Sequence, residues 1–158
     1  MKTLNDLLQI LSTAKIDFVV AGGFAGVLHG STLVTRDLDL CTVLTSENIE
    51  RLREVLKDFH PKHRMTPQKL SFENIPPRGQ SLNHLYLETD LGVVDFLSSI
   101  TGLGDFEYVR SNADEIVLNG NKVLVMSLDN LIRAKEAMNR EKDRLAVKEL
   151  RAIQAKKK

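Results

Sequence analysis

Two glycines, Gly22-Gly23, close the short apolar run Asp17-Phe18-Val19-Val20-Ala21, and Thr35-Arg36-Asp37-Leu38-Asp39-Leu40 follows soon after. No other part of the chain restricts its fold as much. An apolar run ending at glycines reads as a buried strand. Residues 24–28 then read as a short helix stopped at Gly30, a natural residue for the left-handed position after a helix end. Paired glycines at such a joint let the backbone approach a ligand closely and leave N–H groups free at the helix start, a geometry that binds phosphate. Polar and apolar side chains alternate over residues 36–43, which is strand periodicity. Asp37 and Asp39 therefore leave one face, and Leu38 and Leu40 point into the core.

The other elements fall around this unit. Leu4, Leu7, Leu8 and Leu11 recur at helical spacing over about residues 3–14. Ser46 can cap a next helix whose first turn holds Glu47 and whose stripe is Ile49, Leu52, Val55, Leu56 and Phe59. Residues 60–81 carry Pro61, Pro67, Pro76, Pro77 and Gly79 without any period, a length more often functional or mobile than decorative inside a compact domain. Residues 82–88 and 92–97 read as strands joined tightly around Asp90. Asn119-Gly120 between residues 115–118 and 122–126 is a strong hairpin signal. From residue 127 the pattern is helical to about 155, with a break near 139–143. Helix, strand, helix, strand, helix, several strands and helices make an α+β chain, a mixed sheet flanked by helices with a helical C-terminal part. A length of 158 residues suits a single domain over 1–158.

Charge and composition narrow the function classes. With 22 Lys+Arg against 21 Asp+Glu, the net charge points to no polyanion partner. The terminal Arg151, Lys156, Lys157 and Lys158 read as a solvated tail. Cys41 alone cannot form an internal disulfide and suits a reducing cytosol. The polar start and the lack of a long apolar run point to a cytoplasmic protein without a membrane span. His29, His60, His63 and His84 lack zinc spacing.

The chemistry sits in the carboxylates. Asp37 and Asp39 repel each other on one face with no evident basic neighbour there, a pair that makes sense around a hard cation such as Mg²⁺. Asp95, in Val93-Val94-Asp95-Phe96-Leu97, interrupts a strand otherwise apolar on both faces. A charge there must meet a cation, a metal or a cavity. A strand-end salt bridge is the bland alternative, and a third metal ligand is the expectation favoured here.

These motifs resemble the polymerase-beta-like nucleotidyltransferase superfamily, in which a strand ends in Gly-Gly or Gly-Ser, a short helix follows, and then Asp-hydrophobic-Asp-hydrophobic. Within it, Gly22-Gly23 with Thr35-x-Asp37-Leu38-Asp39, then Leu131-Ile132-x-x-Lys135 and Arg140-x-Lys142-Asp143, are most similar to the abortive-infection toxin (AbiEii-like) group and its small relatives. The match runs from about residue 18 to 150. The resemblance implies a nucleotidyltransferase fold and transfer of a nucleoside monophosphate from a nucleoside triphosphate to a hydroxyl. It implies two Mg²⁺ ions on Asp37, Asp39 and Asp95, with Asp95 nearest the attacking oxygen and Gly22, Gly23, Thr35, Lys135 and Lys142 on the nucleotide. Many members carry Ser where Gly23 stands, so only a backbone N–H is offered here. The acceptor, an RNA end, a protein or a small molecule, stays open. So does a toxin–antitoxin role, with an antitoxin or small helical protein as partner. The competing reading is a catalytically weak fold acting as a regulatory or antitoxin-type partner.

Lys135 falls in the apolar stripe of Leu128, Leu131 and Met138, so it either snorkels to water or meets an anion, a triphosphate or Asp143. Lys142 lies two turns further on the same face if that helix is continuous. Lys62, Arg64, Lys69 and Arg78 in the 60–81 segment read as a solvated mobile loop.

Overall fold

The structure is a computed structural model that describes residues 3–157. Helix α1 (Leu4–Thr13) buries Leu7, Leu8 and Leu11 and is capped at Thr3, whose backbone N–H donates to Asp6. Strand β1 (Val19–Ala21) runs directly into α2 (Gly22–Leu28), which begins at the first glycine and not at Phe24. Strand β2 (Asp37–Cys41) and helix α3 (Ser46–Leu56) follow. The cap of α3 is Thr45, not Ser46: Thr45 has extended backbone and its hydroxyl accepts from the Asn48 N–H, which makes Ser46 the first helical residue.

A seven-stranded sheet organises the rest. Its members after β2 are β3 (Lys62–His63), β4 (His84–Thr89), β5 (Gly92–Leu97), β8 (Asp114–Leu118) and β9 (Asn121–Val125), in the order β3-β4-β5-β2-β1-β9-β8. The pairs β2–β5 and β1–β9 are parallel and the others antiparallel, so the sheet is mixed. A small ribbon of β6 (Ser99–Ile100) and β7 (Gly104–Asp105) leads into α4 (Phe106–Ser111), a helix too short to show a period in the sequence. Helices α5 (Leu128–Met138) and α6 (Glu141–Lys156) pack on each other. Among the described residues no helix is long and apolar enough to cross a membrane.

The strand pattern divides the sheet into two chemically distinct faces. Leu38, Leu40, Leu85, Leu87, Val94 and Phe96 are all buried and in register on one face, and they form the middle of the core. The opposite face carries Asp37, Asp39, Asp95, Tyr86 and His84, so the two aspartates of β2 leave the core face as their alternation requires.

The segment between α3 and β4 is tied down, contrary to its reading as a mobile loop. Phe72 is fully buried. The Arg53 guanidinium of α3 lies 5.1 Å from the Phe72 ring centroid and donates to its carbonyl oxygen at 2.9 Å. His63 meets the same ring edge-on, and Lys62 bridges to Ser71. One aromatic anchor and a short edge strand order the segment without producing any period in the sequence.

Candidate active site

Register builds the site. Ala21 of β1 pairs with Asp39 of β2, Asp39 with Asp95 of β5, and Asp95 with Tyr86 of β4. Arg64 follows β3 and its N–H donates to the Tyr86 carbonyl, which extends the row to the sheet edge. Five residues far apart in sequence thus stand side by side on one face, with Asp37 one pleat away from Asp39.

Arg64 answers the question of what Asp95 meets. Its guanidinium lies 5.3 Å from the Tyr86 ring centroid and grips the buried Asp95 with two hydrogen bonds, Nε to Oδ1 at 2.9 Å and Nη2 to Oδ2. Those bonds hold the Arg64 charge more firmly than usual. Asp95 had been expected as a metal ligand, and as the side chains stand it is a salt-bridge partner. Among the described residues no group of three or more His, Cys, Asp or Glu is drawn together closely enough to hold a metal ion. Arg64 engages both Asp95 oxygens.

Asp39 is strained electrostatically. Burial, then the charge of Asp95, then that of Asp37 push its pKa up to about 6, against smaller opposing effects of Lys135 and Arg64. A cation at this point would relieve that repulsion. Gly22 makes the room for the Asp39 carboxylate: with φ of +62°, a Cβ added there would come within 2.1 Å of Asp39 Oδ2. A Cβ on Gly23 would come within 3.1 Å of Thr35 Oγ1, so the second glycine is tightly placed as well. The donor set is all carboxylate oxygen, which suits Mg²⁺. Asp37 and Asp39 leave the same face of β2, and Asp95 stands beside Asp39 with both its oxygens held by Arg64.

A cleft of about 590 Å³ lies over this face, lined by Gly22, Gly23, Thr35, Asp37, Asp39 and Asp95 with Lys135, Lys142, Arg36, Arg64 and Arg140. Every residue that the resemblance implied for the metal or the nucleotide borders it. Lys135 points inward: its ammonium is 3.8 Å from the buried Asp143, and burial lowers its pKa below the usual lysine value, with Asp143 and Asp39 acting against that. Arg140 holds Asp143 by Nε at 2.6 Å and Nη2 at 3.1 Å, which keeps that carboxylate ionised despite its burial. Lys142 is exposed on α6, and it reaches the cleft by a different route from the one its spacing suggested. Asn139 is left-handed and ends α5, so Lys135 and Lys142 belong to separate helices.

Comparison with known proteins bears on this arrangement. No protein-family profile matches the chain, and no curated protein matches it in sequence. Among solved structures, the lincosamide antibiotic adenylyltransferase LnuA bound to lincomycin superposes with a TM-score of 0.62 at 16% identity, over 95% of both chains. The fold is that of a nucleotidyltransferase. A Thermotoga maritima protein assigned as a nucleotidyltransferase gives 0.56 at 16% identity, over 90% of this chain and 89% of that one. ANT(2'')-Ia in complex with adenylyl-2''-tobramycin gives 0.50 at 13%, over 94% and 95%. On this nucleotidyltransferase fold the three aspartates, both glycines, Thr35, Lys135 and Lys142 border one cleft. Arg64, Arg36 and Arg140 complete it and were not singled out for it in the sequence. For Arg64 a signal existed: a buried carboxylate needing a cation, and a basic segment nearby without other employment.

Proposed function

We propose that the chain is a metal-dependent nucleotidyltransferase that moves a nucleoside monophosphate from a nucleoside triphosphate to a hydroxyl of a small molecule. The observation that carries this reading is the row of Asp39 and Asp95, with Asp37 beside it, at the floor of a cleft walled by lysines and arginines. Like-charged carboxylates held together cost free energy. That cost makes sense where a cationic ligand is to be received.

Mg²⁺, held by Asp37 and Asp39, would neutralise triphosphate charge and acidify the acceptor hydroxyl there. The chain's own residues do the rest. Lys135, Lys142, Arg36 and Arg140 face the triphosphate and offset its charge, while Gly22 and Gly23 let the backbone come close to it. Asp95, freed from Arg64, takes the side of the attacking oxygen. The acceptor oxygen bonds to the α-phosphorus, the bond to the β-phosphate oxygen breaks, and pyrophosphate leaves with the electron pair. The acceptor proton passes through the carboxylates to water. Protein participation is positioning and charge neutralisation.

A small-molecule acceptor is favoured over RNA by the balanced net charge and by the compact cleft. LnuA is bound to lincomycin and ANT(2'')-Ia to adenylyl-2''-tobramycin in the structures that share this fold. A purely regulatory or antitoxin-type role explains the fold but leaves the strained carboxylate row without a purpose. The test is incubation with each α-labelled triphosphate, Mg²⁺ and cell extract, separating small molecules from RNA and protein. Label in the small-molecule fraction, lost in Asp37→Asn, is expected. Label confined to RNA would overturn the acceptor class, and failure to bind any triphosphate would overturn the activity.

A further inference from the structure

A second pocket of about 310 Å³ shares Gly22, Asp39, Leu131, Lys135 and Arg140 with the cleft but lies on its other side, toward the late part of β5 and the β6 ribbon. Its character is different. Tyr86 and His84 form one wall, their rings stacked with centroids 5.7 Å apart and planes at 23°. Leu97, Ile100, Met126, Ala134 and Met138 supply apolar surface, and Ser99 and Thr101 supply hydroxyls at the rim. The charges it touches are already engaged. Asp143 is buried against Arg140 and Lys135, and Asp39 stands at the boundary between the two spaces.

The in-line requirement of phosphoryl displacement orders these spaces. The attacking and leaving oxygens lie on opposite sides of the phosphorus. Arg36 and Lys142 border the large cleft alone, so the pyrophosphate belongs there, with the α-phosphorus near Asp39. The attacking hydroxyl must then arrive from the far side, which is this pocket. Tyr86 of the pocket wall pairs in register with Asp95, which lines the adjoining cleft, so the pocket opens beside the carboxylate nearest the attacking oxygen.

Resting on the nucleotidyl-transfer reading, we propose that this pocket is the acceptor subsite and that it takes a small, uncharged, hydroxylated molecule with a planar or apolar face. A stacked ring pair and aliphatic side chains recognise such a face. A polycation would need unpaired acids, and the pocket offers none beyond Asp39. In the step itself the acceptor O–H becomes an O–P bond, its proton leaves by the cleft carboxylates, and the electron pair of the broken bond departs with pyrophosphate.

The chain has no tryptophan and two tyrosines, and Tyr108 lies elsewhere, accepting a hydrogen bond from Arg133. Tyr108→Phe therefore leaves Tyr86 as the sole reporter. The probe is 4-nitrophenyl β-D-glucoside, titrated with saturating Mg²⁺ and α,β-methylene-ATP while tyrosine emission is read with inner-filter correction. Saturable quenching is expected, reduced at least about tenfold in affinity by Ser99→Phe, which fills the pocket from an exposed rim position. Nucleotide affinity, measured alongside by calorimetry, should change less than about twofold. Tobramycin should not displace the glucoside. Absence of saturable quenching in protein that binds the nucleotide overturns the proposal, as does displacement by tobramycin. Competition between glucoside and nucleotide also overturns it, because the pocket would then hold the nucleoside. Protein that binds no nucleotide at all sinks the transfer reading instead, so the two failures are distinguishable.

Discussion

Asp39→Asn should make this protein more stable near neutral pH. Burial and the neighbouring carboxylates Asp95 and Asp37 raise the Asp39 pKa from 3.8 to about 6. At about 1.4 kcal/mol per pH unit, that rise corresponds to about 3 kcal/mol of ionisation cost in the folded state. Asp39 keeps some contact with water, so about 1–3 kcal/mol is the expected gain for the neutral amide. In a chain of this size that is a rise in Tm of roughly 3–10 °C. The pH dependence carries the argument. Below about pH 4 the carboxyl is protonated in both folded and unfolded chains, and the difference between wild type and variant should be small. Between about 4 and 6 the unfolded chain releases a proton that the folded chain retains, so wild type loses stability relative to the variant as pH rises. Above about 6 the full difference stands. Thermal melts of both proteins from pH 4 to 8 in metal-free buffer measure it, and Mg²⁺ added at pH 7.5 should raise the wild-type midpoint more than that of Asp39→Asn. A variant no more stable than wild type at pH 7.5, or an advantage unchanged at pH 4, would refute the reasoning.

Three further outcomes follow from the geometry. Gly22→Ala should lose nucleotide binding and also cost about 1–3 kcal/mol of stability, since its Cβ would meet Asp39 from a left-handed backbone; a melt unchanged from wild type would refute the clash. Arg64→Gln should tighten Mn²⁺ binding, read by electron paramagnetic resonance, by several-fold or more, because Asp95 no longer has to give up a two-bond partner; unchanged or weaker affinity would mean Asp95 takes no part in holding the ion. Lys135→Met should lower transfer by at least tenfold, equivalent to about 1.4 kcal/mol in the barrier, with the midpoint within a few degrees because Arg140 still neutralises Asp143; normal transfer would remove Lys135 from the site.

What the sequence determined by itself was local. Strand alternation placed Asp37 and Asp39 on one face and Leu38 and Leu40 in the core, because a pleat has a period of two whatever surrounds it. The leucine spacing of α1, the Asn119-Gly120 turn between β8 and β9 and the break before α6 are likewise short-range and were legible. Some local features were still misread. The cap of α3 depends on which residue leaves helical dihedrals first, and Thr45 precedes Ser46 in doing so; α4 is too short for a period to appear. The site needed tertiary structure. Asp95 lies beside Asp39 only because β5 pairs in parallel with β2 at one register, and a slip of one residue would turn it to the leucine face. Arg64 reaches Asp95 only because β3 adds to β4 and sets its guanidinium against Tyr86. Charges that meet across four strands leave no period in the chain, so their pairing, and with it the state of the third carboxylate, is decided by the folded sheet alone.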